Sequence, residues 1–186
     1  MGLAGFNWVD LVILVIVTFS LVIGYIQGIL RQVIWLAAVY IAMILATQYH
    51  TLVGDWIRRL TFQTHPSRIV NSVAFLIIVT VVSFLLSWLA ADAYPSEKLK
   101  IFPLVNQVGG SILAIITTIV ILGLLLRIVN FAVSEPWPNI DSYRLEIING
   151  LRTSILIPNL EMLKEPIIQV IVPWLPGNIL PAILMP

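Results

Sequence analysis

Four stretches of this chain are each long enough, and empty enough of charge, to cross a lipid bilayer, and no other feature limits its fold as tightly. A hydrocarbon core of about 30 Å, crossed at about 1.5 Å per residue, calls for about 20 apolar residues in a helix. No charged side chain stands between Asp10 and Arg31, within 69–91, or within 101–126. Lipid offers no partner for a backbone N–H or C=O, so each such stretch must close its own hydrogen bonds as a helix. The fold class expected is therefore all-α membrane, with transmembrane helices at about 8–26, 29–47, 69–91 and 106–127. Residues 1–129 form the four-helix domain and 130–186 a tail. Residues 1–7 hold no Lys or Arg, and the first apolar stretch is too long for a signal-peptide core, so the first span is expected to be retained.

The segments between the spans are polar. Residues 48–68 carry Asp55, Arg58, Arg59, His50 and His65 and are expected to form an interfacial link, and 92–100 a second polar loop. Eight of the eleven prolines fall after Asn130 and interrupt every apolar run there before it reaches bilayer length, so the tail should lie on the membrane surface. Within it, Leu145, Ile148, Leu151 and Ile155 recur at helical spacing against Asp141, Arg144 and Arg152, which predicts a short amphipathic helix. Trp137 and Trp174 suit the interface, where an indole is half wet.

Every span also carries small residues four apart. The rows are Ser20, Gly24 and Gly28; Ala38, Ala42 and Ala46; Ser83, Ser87 and Ala91; and Gly110, Ala114 and Thr118. Helices in lipid associate by close backbone approach rather than by hydrophobic drive, and a spacing of four keeps each row on one face. A close-packed bundle follows. The partners implied are the bilayer and other membrane proteins or a second copy of the chain.

Charge and motifs exclude several functions. Lys and Arg number 10 against 9 Asp and Glu, without long runs of either sign, so nucleic acid is not an expected partner. The chain has no cysteine, which removes disulfides, thiol catalysis and thiolate metal sites. No nucleophile elbow, Gly-rich phosphate loop or HExxH pattern is present, and the two histidines lie apart from clustered acids, so neither catalysis, a cofactor nor a metal site is expected.

Asp10 stands three residues after Asn7 in Asn7-Trp8-Val9-Asp10. Asn7 can cap the first helix, Asp10 suits its positive end and Trp8 suits the interface, or Asp10 is a buried functional carboxylate facing a cation. Arg31, past the Gly24 to Gly28 hairpin, reads as a boundary cation snorkelling to headgroups. Thr80, Ser83 and Ser87 are hydroxyls for backbone or interhelix bonds, or for a polar pathway.

Asn7-Trp8-Val9-Asp10, a span, Gly24-Tyr25, Gly28, Arg31 and a second small-residue span resemble the start of the colicin V production protein family. Gly110 and Ala114 after Asn106-Gln107 are similar to the family's last helix, and Ser154-Ile-Leu156-Ile-Pro158 to its Ser-x-Leu-x-Pro segment. The chain departs from the family at Ile26 and Gln27, where basic residues are usual, at Gln32 in place of an acid, and at Asn106 in place of an aspartate. The resemblance implies a bacterial cytoplasmic (inner) membrane protein that supports toxin production or export and envelope homeostasis. Some relatives carry an extracytoplasmic trypsin-like protease after this domain, which implies an anchor or sensor with N-terminus and C-terminus outside. The basic residues argue the other way, since Arg58, Arg59, Arg68, Arg127 and Arg144 lie on the N-terminal side against Arg31, Lys98 and Lys100. A small oligomeric transporter or channel, and an accessory subunit of a larger membrane complex, are the alternative functions.

Overall fold

In a computed structural model of the chain, residues 6–60, 67–93, 103–138 and 140–162 are described, together with residues 169 and 173. They form six helices in the order α1 (Trp8–Gln27), α2 (Ile29–Leu60), α3 (Ser67–Ala93), α4 (Pro103–Val133), α5 (Asp141–Thr153) and α6 (Ile157–Met162). The first four are long and apolar enough to cross a membrane. The protein is thus an all-α, multi-pass membrane protein. His65, the loop around Pro95, and Trp174 lie outside the described residues.

Two spans are longer than expected. α2 continues past Thr47 to Leu60, so most of the polar link is helix. The reason is a continuing row, because Ala38, Ala42, Ala46, His50 and Gly54 recur every four residues and all are buried. His50 places Nδ1 3.0 Å from the Ala46 carbonyl and meets Phe75 edge-on at 5.9 Å. At about 1.5 Å per residue α2 is about 48 Å long, so its last turns extend beyond the hydrocarbon, where Arg58 and Arg59 complement the helix C-terminus. α4 begins at Pro103, a residue whose missing N–H costs nothing in a first turn, and runs past Arg127 to Val133. Arg127 therefore does not end the span. It is 8% exposed within the helix.

The helices pack in two pairs. α1 lies mainly against α4 and α2 mainly against α3, while α4 also meets α2 and joins the pairs. α1 and α2 are joined by a one-residue hairpin at Gly28, whose φ of +81° favours glycine, and meet little beyond it. One apolar cluster gathers Val39, Met43 and Ala46 of α2, Phe75 of α3, and Leu124 and Ile128 of α4. A second joins Val9 and Ile13 of α1 to Leu122 and Leu126 of α4 and Ile157 of α6. The outward faces remain apolar, with Leu11 62%, Phe19 65% and Phe84 66% exposed, as lipid-facing surfaces must be.

The predicted amphipathic helix is α5, but its inward face is narrower than its periodicity implies. Gly150 is buried and Leu151 packs on the second cluster, whereas Leu145 and Ile155 stay exposed. Arg144 fixes the turn leading into it. Its Nε and Nη2 donate to Asp141 at 2.5 and 3.1 Å, and its Nη1 donates to the Val133 carbonyl at the end of α4 at 3.1 Å. The guanidinium holds the Asp141 carboxyl below its usual range. Trp137 is half-buried, its indole N–H donating to the Ala132 carbonyl at 3.0 Å.

Candidate functional site

The opening residues of α1 and the 150–157 segment, separated by more than 140 positions in sequence, close on one another. Asp10 sits in the first turn of α1 and is 0% exposed. Its Oδ1 accepts from the Ser154 hydroxyl at 2.5 Å and from the backbone N–H groups of Ile155 and Leu156 at 3.1 and 3.0 Å. Its Oδ2 accepts from the Asn7 N–H at 3.0 Å and from Ile155 at 3.2 Å. Both oxygens are thus occupied by neutral donors, and among the described residues none of these partners is a cation. The cation expected for a buried functional carboxylate is replaced by a cradle of backbone amides. Charge-assisted bonds of this kind are shorter and stronger than neutral ones, which is how a carboxylate is held without a counter-ion.

The chain chemistry on the other side of the contact explains the Ser-x-Leu-x-Pro pattern. Ser154 has extended backbone just past α5, which turns the next two N–H groups toward Asp10. Its hydroxyl donates to Asp10 and accepts the Ile157 N–H at 3.2 Å, so it joins the carboxylate to the start of α6. Leu156 packs on the second apolar cluster, and Pro158, in the first turn of α6, needs no hydrogen bond there.

Asn7 and Trp8 complete the clasp. Asn7 is the N-cap residue of α1, and its side-chain amide donates to the Gly150 carbonyl at 2.8 Å and to the Thr153 hydroxyl at 2.6 Å. Gly150 belongs to the last turn of α5, so Asn7 satisfies a carbonyl that the helix itself leaves open. Trp8, 51% exposed, lies across Gly150 so closely that a Cβ there would come within 2.8 to 2.9 Å of three indole atoms. The capping role read for Asn7 and Asp10 is present, since Asp10 answers the Asn7 N–H, but both side chains chiefly grip the tail.

The small-residue rows meet as follows. Ser20, Gly24 and Gly28 face Gly110, Ala114 and Thr118, with α1 and α4 nearly touching backbone to backbone. A Cβ on Gly24 would lie 2.5 Å from the Ala114 Cβ and 2.6 Å from the Gly110 carbonyl oxygen, and one on Gly110 would lie 2.7 Å from the Gly28 Cα. Ser20 donates to the Ala114 carbonyl at 3.0 Å and accepts from Thr118. Asn106, at the position where the resembled family often has an aspartate, accepts the Ile29 N–H at 2.9 Å and so ties the start of α2 to α4. Ala38, Ala42 and Ala46 line the buried side of α2. Ser83 is buried and Ser87 half-buried, yet among the described residues neither Oγ has a partner, so the backbone bonds expected of this stripe are absent. Thr80 is exposed. Arg31, in the first turn of α2, is exposed and among the described residues has no ion pair.

Sequence reasoning missed three contributors. Gly150 carries no chemical signal of its own, and His50 and Gly54 extend the α2 row beyond the point where hydropathy falls.

Comparison with curated proteins and with solved structures gives no match. Comparison with protein families matches residues 9–165 to the family described as Colicin V production protein. That stretch takes in the four spans, Asp10 and the Ser154 segment that cradles it, and the chain belongs to the colicin V production protein family.

Proposed function

We propose that this membrane protein supports toxin production or export and envelope maintenance in the bacterial inner membrane, without enzymatic activity and through protein partners. The observation that carries the reading is the saturation of Asp10. It is the only carboxylate among the described buried residues, and both its oxygens are spent on the chain's own donors. A carboxylate so used holds the tail to the first helix and is poorly placed to relay protons or ions, which weighs against a transporter working through Asp10. The clasp holds α5 against the end of the bundle with Tyr143 and Leu145 exposed, an apolar surface for a membrane or protein partner.

Extraction of the full chain in a gentle detergent, followed by identification of co-purifying proteins, is expected to return a defined membrane partner. A lone, monodisperse monomer would overturn the reading, and ion flux through reconstituted vesicles would replace it with a transporter. For orientation we follow the family, with N-terminus and C-terminus outside. A reporter fused to Pro186 should then be active only if it functions outside the membrane, and cytoplasmic activity reverses the assignment.

A further inference from the structure

A groove of about 840 Å³ lies between the two helix pairs, and we infer that it binds one anionic phospholipid from the leaflet on the α1–α2 hairpin side. The groove follows α1 from Val15 to Gln27 and α4 from Asn106 to Thr118. Each of those stretches covers about 18 Å at the helical rise, close to the about 15 Å of a single leaflet's hydrocarbon. That length is the reach of a lipid's acyl chains, whereas a partner's membrane-crossing helix would need about 30 Å.

The lining has the polarity of an amphiphile. Phe19, Trp35, Phe84 and Trp88 supply aromatic walls along the membrane-spanning length. The hairpin end is polar, with Arg31 beside Gln32, whose side chain donates to Gln27 at 3.1 Å. Among the described residues that line the groove, Arg31 is the one charge and none is a carboxylate. The headgroup that complements this end is anionic. Ser87 also lines the groove, although its Oγ is enclosed by the protein rather than open to it.

Trp35 and Trp88 make the site readable by fluorescence once the chain's other four tryptophans are replaced by phenylalanine. The full chain is reconstituted in phosphatidylcholine bilayers that contain, at the same low mole fraction, either chain-brominated phosphatidylglycerol or chain-brominated phosphatidylcholine. Lipid that merely surrounds the protein quenches equally in both. A seated anionic lipid reaches half-maximal quenching at about fivefold lower mole fraction than the neutral one, the factor expected of one cation near the membrane surface. Arg31→Gln is expected to remove the difference. Ala90→Phe, which fills the groove wall and leaves Arg31 in place, should lower the quenching by both lipids at Trp35 and Trp88, with helical content checked for each variant. Equal quenching by the two lipids overturns the proposal in favour of ordinary surrounding lipid. Protection from both lipids overturns it in favour of a second copy covering the groove, and so does a difference that survives both substitutions.

Discussion

Replacing Asp10 by asparagine is expected to release the 150–157 segment from the first helix and to lower the thermal stability of the detergent-solubilised protein. The amide retains one acceptor, but its NH₂ group confronts N–H donors from Asn7, Ile155 and Leu156 or the Ser154 hydroxyl, and the charge that strengthened all of these bonds is gone. A hydrogen bond to a charged group contributes about 1.5–3 kcal/mol, so losing two of them costs about 3 kcal/mol or more. Ser154→Ala removes one donor and should do less. The four spans do not depend on the clasp, so limited proteolysis of the variant should cut first near Ser154 while the bundle stays helical. Wild-type melting and an uncut tail in Asp10→Asn would show that the carboxylate does not hold it.

The second large effect is expected at Gly24. A side chain there meets the Gly110 carbonyl oxygen at 2.6 Å and the Cα of Ser111 at 3.0 Å, and backbone atoms cannot rotate away as a flexible side chain can. The helices must separate, breaking the Ser20 and Thr118 bonds one turn below. Overpacking of this kind costs about 1–3 kcal/mol for a methyl group, and Gly24→Leu should exceed Gly24→Ala. Ile26→Ala, at a site 68% exposed, is the control and should leave the midpoint unchanged. Equal melting of Gly24→Leu and the control would mean that α1 does not rest on α4 through this row.

Much of the architecture is legible in the sequence because lipid imposes a simple rule. Uncharged length locates the spans, and the four-residue rows foretell which faces approach, as Gly24 against Gly110 and Ala114 illustrates. Ends are harder. Hydropathy marks where a helix leaves the membrane, not where it stops, so α2 runs on through His50 and Gly54 and α4 past Arg127. The row that continues to Gly54 is the signal that could have placed the end of α2. The clasp is legible only in halves. Asn7-Trp8-Val9-Asp10 and Ser154-Ile-Leu156-Ile-Pro158 are each visible as motifs, but Asp10 is answered by backbone amides, which every residue except proline possesses, and so no complementary charge betrays its partner. The α5 face fails for a related reason: periodicity nominates Leu145 and Ile155, whereas the close fit is made by Gly150, where the absence of a side chain admits Trp8.

The backbone amides of Ile155 and Leu156 report directly on the clasp between Asp10 and the tail. Hydrogen exchange of the reconstituted protein should find both amides protected in the wild-type chain and freely exchanging in Asp10→Asn, with the spans protected in each. Rapid exchange of the two amides in the wild-type chain, or protection that survives the substitution, would contradict it.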